Sequence, residues 1–203
     1  MYGGPGDDVM LGDAGNDEVW GGEGDDIIRL GGTARRIEDD VFFDIGRGGP
    51  GNDLIYGGFN QSFQGGSVGI TDDQKFLYGD EGDDKIWGSS DITDQVIWGG
   101  KGDDFVQSAQ RIVNSYINGN EGDDVLRPAD NGADFEDGLI DRIRGGKGND
   151  VINPQTIVFD INDEFDGDFN TDETDYGGTG NTNILWDGGE GDDIIWGGKD
   201  SKE

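Results

Sequence analysis

The strongest constraint on this sequence is a nine-residue pattern, seen in GGEGDDIIR at residues 21–29, that occurs nine times. The copies begin at Gly3, Gly12, Gly21, Gly48, Gly79, Gly99, Gly119, Gly145 and Gly188. Every copy has glycine at its first and fourth positions, aspartate at its sixth and an apolar residue at its eighth. Because such periodicity is typical of repeat architectures, the sequence predicts an array of stacked units.

The charge of the chain restricts its partners. Asp and Glu outnumber Lys and Arg by 46 to 14, the formal net charge is -32, and only 31% of the residues are hydrophobic. Chains of this kind usually stay disordered because they repel themselves and bury little apolar surface, so folding requires a neutralising cation. The same charge excludes a nucleic-acid binder that contacts phosphates, since such contacts require Lys and Arg.

The available ligand chemistry indicates calcium. The chain has no Cys and no His, which excludes disulfides, thiolate metal sites and ordinary zinc sites. Oxygen ligands remain, and these are the ligands that calcium prefers. The candidate carboxylates are the sixth-position aspartates, which are Asp8, Asp17, Asp26, Asp53, Asp84, Asp104, Asp124, Asp150 and Asp193.

The spacing of the copies predicts how they are arranged. The first three run head to tail, but from Gly21 onward the start-to-start distances are 27, 31, 20, 20, 26 and 43 residues. A solenoid with two nonads per coil accounts for this if eight copies stack along one edge, edge A, and the Gly12 copy lies on the opposite edge, edge B. The edge-B segments that lost the motif and accepted insertions are then 30–47, 57–78, 88–98, 108–118, 128–144 and 154–187.

The ends of the edge-B segments test this arrangement. Each should finish with a short strand whose inward residue lies two places before the next copy, and four of those places hold Leu77, Ile97, Ile117 and Ile143. The alternation around them is typical of a short strand. Gly46 occupies the same place in the first segment, and Asp187 stands as an extra residue after ILW in the last, so these two segments depart from the pattern.

A calcium site must form between two turns, because a single turn offers too few of the six to eight oxygens that calcium takes at about 2.3–2.6 Å. Glycine at the first and fourth positions permits a tight turn with converging carbonyls, and the next coil, about 4.8 Å away, can complete the site. Eight edge-A turns enclose roughly seven gaps, which predicts roughly seven calcium ions. The predicted carbonyl ligands are those of Gly3, Gly21, Gly48, Gly79, Gly99, Gly119, Gly145 and Gly188.

These repeats resemble the RTX (repeats-in-toxin) calcium-binding nonapeptide family, whose pattern is G-G-x-G-x-D-x-U-x. Six copies match throughout, and GDAGNDEVW, GDEGDDKIW and GNEGDDVLR differ only at the second glycine. The resemblance implies an all-β fold, a parallel β-roll that binds calcium between successive turns, is usually extracellular and is disordered without calcium. We therefore expect a single domain over residues 1–203, a right-handed parallel β-roll (β-solenoid) of about eight coils with irregular loops on edge B.

Several weaker patterns have two interpretations each. Residues 162–173, NDEFDGDFNTDE, partly fit an EF-hand loop and are either a further calcium site or a solvated acidic loop. Outward aromatic residues in adjacent coils, Tyr56 with Trp87 and Tyr78 with Trp98, either stack across the sheets or form a sugar-binding platform. The seventh position either tolerates exposed apolar residues or forms an association surface, with Ile27, Leu54, Phe105, Val125, Val151 and Ile194.

The leading hypothesis is a calcium-binding structural module of a secreted or cell-surface protein that folds when calcium binds. The alternatives are a self-assembling extracellular filament or surface-layer subunit, a polysaccharide- or partner-binding adhesin module, and an accessory domain of a secreted enzyme. Catalysis by this chain is not expected, because His, Cys and a nucleophile motif are missing and carboxylate pairs occur everywhere. No membrane span or signal-peptide pattern is visible, and both ends fall within the array, so we expect an excerpt of a longer protein or a unit that stacks end to end.

Overall fold

The computed structural model of the chain describes residues 1–13, 15–31, 43–58, 74–89, 95–108, 115–127, 140–152 and 183–195. Within these ranges the regular structure consists of short β-strands. In chain order they are β1 (Tyr2–Pro5), β2 (Val9–Leu11), β3 (Glu18–Glu23), β4 (Ile27–Arg29), β5 (Phe43–Pro50), β6 (Leu54–Tyr56), β7 (Gln74–Glu81), β8 (Lys85–Trp87), β9 (Gln95–Lys101), β10 (Phe105–Gln107), β11 (Tyr116–Glu121), β12 (Val125–Arg127), β13 (Ile140–Lys147), β14 (Val151–Ile152), β15 (Asn183–Glu190) and β16 (Ile194–Ile195).

The strands form two parallel sheets of eight strands each. Sheet 1 contains the odd-numbered strands and sheet 2 the even-numbered strands, both in chain order. Neighbouring strands are parallel and in register, as in the pairs Gly4 with Gly22 and Ile55 with Ile86. The chain therefore passes repeatedly from one sheet to the other, which confirms the all-β parallel roll. Its right hand and the number of coils in the whole chain stay predictions.

The nonad determines where the chain changes sheet. Strand β3 ends with the first three residues of the Gly21 copy, and β4 contains its seventh to ninth residues. The three residues between these strands form the turn on edge A. All eight copies that the spacing assigns to edge A end an odd-numbered strand in this way, so the turns of edge A lie above one another.

The core is a narrow apolar column between the sheets. Eighth-position side chains of the edge-A copies project into it from sheet 2. Val19 of the Gly12 copy and the inward residues of the edge-B segments project into it from sheet 1, because alternate residues of a strand face opposite sides. The predicted inward residues Leu77, Ile97, Ile117 and Ile143 are at most 2% exposed. Eight of the eighth-position residues are at most 5% exposed, and these are Met10, Val19, Ile28, Ile55, Ile86, Val106, Leu126 and Ile152. The ninth, Ile195, is 43% exposed.

The missing side chain at Gly46 is compensated by a residue outside the pattern. Gly46 pairs with Val19 and Leu77, so it occupies the inward place that the edge-B spacing predicts. A Cβ added at Gly46 would lie 3.3 Å from Leu30 Cδ1 and 3.5 Å from Ile55 Cγ2. Leu30 is fully buried and fills the volume that a larger inward residue would take.

The prediction that Asp187 is an extra residue is wrong. In the pairing of β13 with β15, Ile143 lies opposite Trp186 and Arg144 lies opposite Asp187. The ladder continues with Gly146 opposite Gly189, so no residue is inserted. Asp187 therefore takes the ninth position of its coil, and Trp186 takes the inward register position.

The outer faces carry the predicted aromatic neighbours. Tyr56 stacks on Trp87 with ring centroids 5.1 Å apart, and Tyr78 contacts Trp98 edge-on at 5.6 Å. Trp87 and Phe105, both predicted to face outward, are only 7% and 8% exposed, and their rings lie 5.8 Å apart. The possible EF-hand loop at 162–173 lies outside the described residues. The part of the chain that the structure describes contains no helix able to cross a membrane.

Candidate metal centre

The backbone of the edge-A turn explains its glycines. In the Gly21 copy, the glycines at the second and fourth positions, Gly22 and Gly24, have φ values of 126° and 129°, in the left-handed region that favours glycine. The three copies with another residue at the second position keep this conformation, since Asp13, Asp80 and Asn120 have φ values of 69°, 82° and 84°. Asp and Asn tolerate positive φ better than other side chains, which explains why these residues replace the second glycine.

The sixth-position aspartates form a ladder along edge A. One carboxylate oxygen, Oδ1, accepts a hydrogen bond from the backbone N–H of the sixth-position aspartate in the preceding coil, as from Asp26 to Asp53 at 2.8 Å. The same bond recurs at 2.7–3.0 Å along the whole series. The ladder therefore links Asp8, Asp26, Asp53, Asp84, Asp104, Asp124, Asp150 and Asp193.

The second carboxylate oxygen, Oδ2, is buried and has no hydrogen-bond partner in most of these residues. Buried polar atoms are nearly always paired, because an unpaired one loses its hydration without compensation. A row of orphaned carboxylate oxygens, one per coil, therefore indicates a recurring ligand. The residues with such an oxygen are Asp17, Asp26, Asp53, Asp84, Asp104, Asp124 and Asp150.

A carbonyl oxygen from the next coil lies close to Oδ2 of each sixth-position aspartate from Asp8 to Asp150 along edge A. A Cβ added to Gly3 would lie 2.5 Å from Asp8 Oδ2 and 2.6 Å from the carbonyl oxygen of Gly21. Because the first residue is glycine, a small space remains open between two coils, and a single methyl group would fill it. This space is called an edge-A gap here. The same arrangement recurs at Gly21, Gly48, Gly79, Gly99, Gly119 and Gly145, each with the first-glycine carbonyl of the following coil.

Further carbonyl oxygens point from the second and fourth positions towards the next coil. A Cβ added at Gly22 would overlap the carbonyl of Gly4, and one at Gly24 would lie 2.7 Å from the carbonyl oxygen of Gly6. The described residues contain no group of three or more acidic side chains suited to a metal ion. Main-chain carbonyl oxygens and one carboxylate instead line an edge-A gap, and oxygen atoms of these kinds suit a hard cation such as calcium.

Burial perturbs the ionisation of the ladder. It raises the pKa of the Asp53, Asp84 and Asp124 carboxyls to about 7, and that of Asp104 to about 8. The hydrogen bond from the preceding coil's N–H acts in the opposite direction, but burial has the larger effect. At neutral pH these carboxyls need either a proton or a cation, and a divalent cation at Oδ2 would favour the ionised form.

A second ladder, at the fifth position, was missed by the sequence reasoning. It runs in the opposite direction, since the backbone N–H of Asp25 donates to Asp7 Oδ1 at 3.0 Å and that of Asn52 donates to Asp25 Oδ1 at 2.8 Å. The signal was present in the sequence, because every copy has Asp or Asn at this position. These residues are Asp7, Asn16, Asp25, Asn52, Asp83, Asp103, Asp123, Asn149 and Asp192.

Among the described residues of edge B, the turn that begins at Gly12 forms a gap of the edge-A type. A Cβ added at Gly12 would lie 2.6 Å from the carbonyl oxygen of Leu30 and 2.9 Å from Asp17 Oδ2. The backbone N–H of Asp17 donates to Asp44 Oδ1 at 2.8 Å, which repeats the hydrogen bond of the edge-A ladder. Asp17, predicted as a ligand, is therefore placed like its edge-A counterparts, although its neighbour along edge B is not a nonad aspartate.

Comparison with known proteins agrees with the geometry. The family model described as RTX calcium-binding nonapeptide repeat (4 copies) matches residues 2–34, 41–60, 76–92, 94–108 and 137–153, just over half of the chain. The matched ranges leave out the copies at Gly119 and Gly188, which the structure stacks in the same register as the others. No curated protein and no solved structure matches the chain.

Proposed function

Because the chain belongs to the RTX calcium-binding nonapeptide repeat family, we propose that it is a calcium-binding structural module whose ions occupy the edge-A gaps and complete its fold. The observation that carries this proposal is the row of buried Oδ2 atoms without partners, each facing a carbonyl oxygen of the next coil. An ion in such a gap contacts two coils at once. Binding calcium and stacking the coils then become a single process.

The charge of the chain supports the same proposal. Seven edge-A gaps filled with divalent ions would change the formal charge from -32 to about -18 and place positive charge beside the most crowded carboxylates. The Asp17 gap on edge B is an eighth candidate site. Calcium suits gaps lined mainly by carbonyls better than magnesium, which demands a near-ideal octahedron and gives up water reluctantly.

We place the module in a secreted or cell-surface protein. Sites that form only when two coils meet must offset the cost of ordering those coils, so their affinity should be low, on the order of 0.1–1 mM. Extracellular modules work in this range. The chain would then remain unfolded at low calcium and fold where calcium is plentiful.

Circular dichroism during a calcium titration tests this function. We expect little β structure in EDTA and a cooperative gain of β signal as free calcium reaches millimolar concentrations. Magnesium at the same concentration serves as the matched control and should produce a much smaller change. Equal β content in EDTA and in millimolar calcium would contradict the proposal.

A second candidate function, polysaccharide binding, rests on the outer face of sheet 1. Tyr2, Trp20, Arg47, Tyr78 and Trp98 lie in one register row across five neighbouring strands. The Arg47 guanidinium lies 5.5 Å from the Trp20 ring centroid and 4.4 Å from that of Tyr78. Trp20 and Trp98 are each 43% exposed, and exposed aromatic faces suit sugar rings.

A glycan array probed in millimolar calcium tests the second candidate. Binding should require calcium and should be lost in Trp98→Ala. Tyr56→Ala, which removes an aromatic ring from sheet 2, is the matched control and should leave binding unchanged. An array without hits for the calcium-loaded chain would contradict this function while leaving the calcium-binding proposal intact.

A further inference from the structure

The sixth-position residues change their chemistry along edge B. Strand pairing places Asp44 opposite Lys75, and Lys75 opposite Gln95, in three successive coils. All three side chains are buried, with relative exposures of 2%, 3% and 0%. Edge A has an aspartate at every equivalent place. The first position differs as well in the coil of Asp44, because Leu30 stands there where edge A has glycine.

The Lys75 ammonium contacts the same kinds of oxygen that face an edge-A gap. It forms an ion pair with Asp44 Oδ2, the oxygen that lacks a partner in the other buried sixth-position aspartates. It also lies 3.5 Å from the carbonyl oxygen of Gly31. Gly31 is a second-position residue with a φ of 81°, and a Cβ at Gly58 in the next coil would overlap its carbonyl, as happens between Gly22 and Gly4 on edge A.

We propose that the Lys75 side chain takes the place of one calcium ion on edge B. Its ammonium supplies the positive charge that Asp44 Oδ2 and the Gly31 carbonyl would otherwise obtain from a metal ion. This inference rests on the proposed function, because it assumes that the corresponding edge-A gaps hold calcium. The gap between the coils of Asp44 and Lys75 is thus closed by a cation that belongs to the chain and cannot be removed by a chelator.

A later gap on edge B, between the coil of Gln95 and the coil that follows it, is closed by a neutral side chain. Gln95 Oε1 accepts a hydrogen bond from the backbone N–H of Ser89 at 2.6 Å, and its Nε2 donates to Ser108 Oγ at 3.3 Å. A Cβ at Gly88, the first-position glycine here, would lie 2.6 Å from Gln95 Nε2 instead of meeting a carboxylate. The amide therefore occupies the space that a metal ion would take in an edge-A gap.

Counting bound calcium in variants of the full chain tests the exchange of an ammonium for a metal ion. The variants are made in a background with Leu30→Gly and Gly46→Leu, because Leu30 holds the first position in the coil of Asp44, where edge A has glycine, and its side chain fills the space beside Gly46. In this background Lys75→Ala removes the ammonium and leaves Asp44 Oδ2 free to bind a metal. Lys75→Asp additionally restores the aspartate that edge A has at this position. Lys101→Ala is the matched control, because Lys101 also pairs with a carboxylate of an adjacent coil, Glu81, but is 61% exposed. Native mass spectrometry at saturating calcium gives the count, and circular dichroism reports folding.

We expect Lys75→Ala in this background to hold one calcium ion more than the background chain, Lys75→Asp at least one more, and Lys101→Ala the same number. If only Lys75→Asp folds, an extra ion in that variant supports the proposal. Folded variants with an unchanged count would overturn it, as would failure of both Lys75 variants to fold in calcium, because a metal ion then cannot replace the ammonium. If the unchanged chain binds no calcium, the proposed function itself is wrong.

Discussion

Edge A and the described parts of edge B lie between strands that pair in the same register, but their gaps are filled differently. On edge A, Asp53 and Asp84 leave a carboxylate oxygen unpaired in each gap, whereas on edge B the ion pair of Lys75 with Asp44 and the amide of Gln95 occupy the corresponding places. Strand pairing is in register on both sides. The difference teaches that the roll requires each gap to be filled by compatible chemistry, and that the residues at the first and sixth positions of a coil decide whether this is a metal ion.

Filling an edge-A gap with a methyl group should have the largest effect. In Gly99→Ala the new Cβ would overlap Asp104 Oδ2 and lie 2.7 Å from the carbonyl oxygen of Gly119. The variant loses an ion and strains two coils, so its unfolding free energy in calcium should fall by about 4 kcal/mol or more. Gly46→Ala is the control from edge B, where the Cβ meets only apolar atoms at 3.3 Å and 3.5 Å, and should change stability by less than about 1 kcal/mol. Equal effects of the two substitutions in denaturant unfolding would contradict the distinction.

Removing one ladder charge should have the next largest effect. Asp104→Asn keeps the size of the side chain but replaces the carboxylate that faces an edge-A gap. Loss of one ion costs about 2.7 kcal/mol when free calcium is 100 times its Kd, and the calcium midpoint should rise accordingly.

The control for that change is Asp103→Asn, one residue earlier. Asp103 belongs to the exposed fifth-position ladder, in which Asn52 and Asn149 already make the same hydrogen bond. Calcium titration followed by circular dichroism should therefore show almost no change for Asp103→Asn. Equal shifts for the two variants would mean that net charge, and not the gap, governs calcium binding.

Acid should partly replace calcium on edge A. Asp53, Asp84 and Asp124 have pKa values raised to about 7, and Asp104 to about 8, against 3.8 for the unperturbed group. The metal-free folded chain therefore binds more protons than the unfolded chain between these values, so its stability is greatest below about pH 4 and is lost as the pH rises through about 7 to 8. In EDTA, circular dichroism should show more β structure at pH 4.5 than at pH 8, and the opposite order would contradict this assignment.

The smallest effect is expected at an exposed ion pair. Lys101 Nζ lies 2.5 Å from Glu81 Oε1, but both side chains are more than half exposed, so solvent screens their attraction. Lys101→Ala should lower the unfolding free energy far less than Asp104→Asn in a denaturant titration. A larger loss would show that surface pairs contribute to coil stacking as strongly as the gaps do.

The repeated part of the fold was predictable from the sequence because its determinants lie within each nonad. The eighth position identified one side of the core, and Leu77, Ile97, Ile117 and Ile143 identified the other. The sixth-position aspartates were predicted as ligands for the same reason. The fifth-position ladder was equally visible as Asp or Asn in every copy, but the sequence does not reveal which N–H a side chain faces.

The features of edge B were not predictable because they depend on contacts between coils that insertions separate in the sequence. Leu30 fills the space at Gly46, 16 residues later in the sequence. Lys75 contacts Asp44, 31 residues earlier, and the segments that separate these pairs differ in length. No constant spacing assigns Lys75 or Gln95 to the sixth position; only the strand pairing does so. The error at Asp187 has the same origin, because a segment without the motif offers no internal reference for register.

Anomalous scattering from crystals of the calcium-loaded chain tests the contrast between the edges most directly. The account predicts one metal peak in each edge-A gap, beside Oδ2 of residues such as Asp53 and Asp104, and no peak between Asp44 and Lys75. Edge-A gaps without peaks would contradict the calcium assignment. A metal peak at the Lys75 position would contradict the conclusion that a side-chain ammonium takes the place of an ion there.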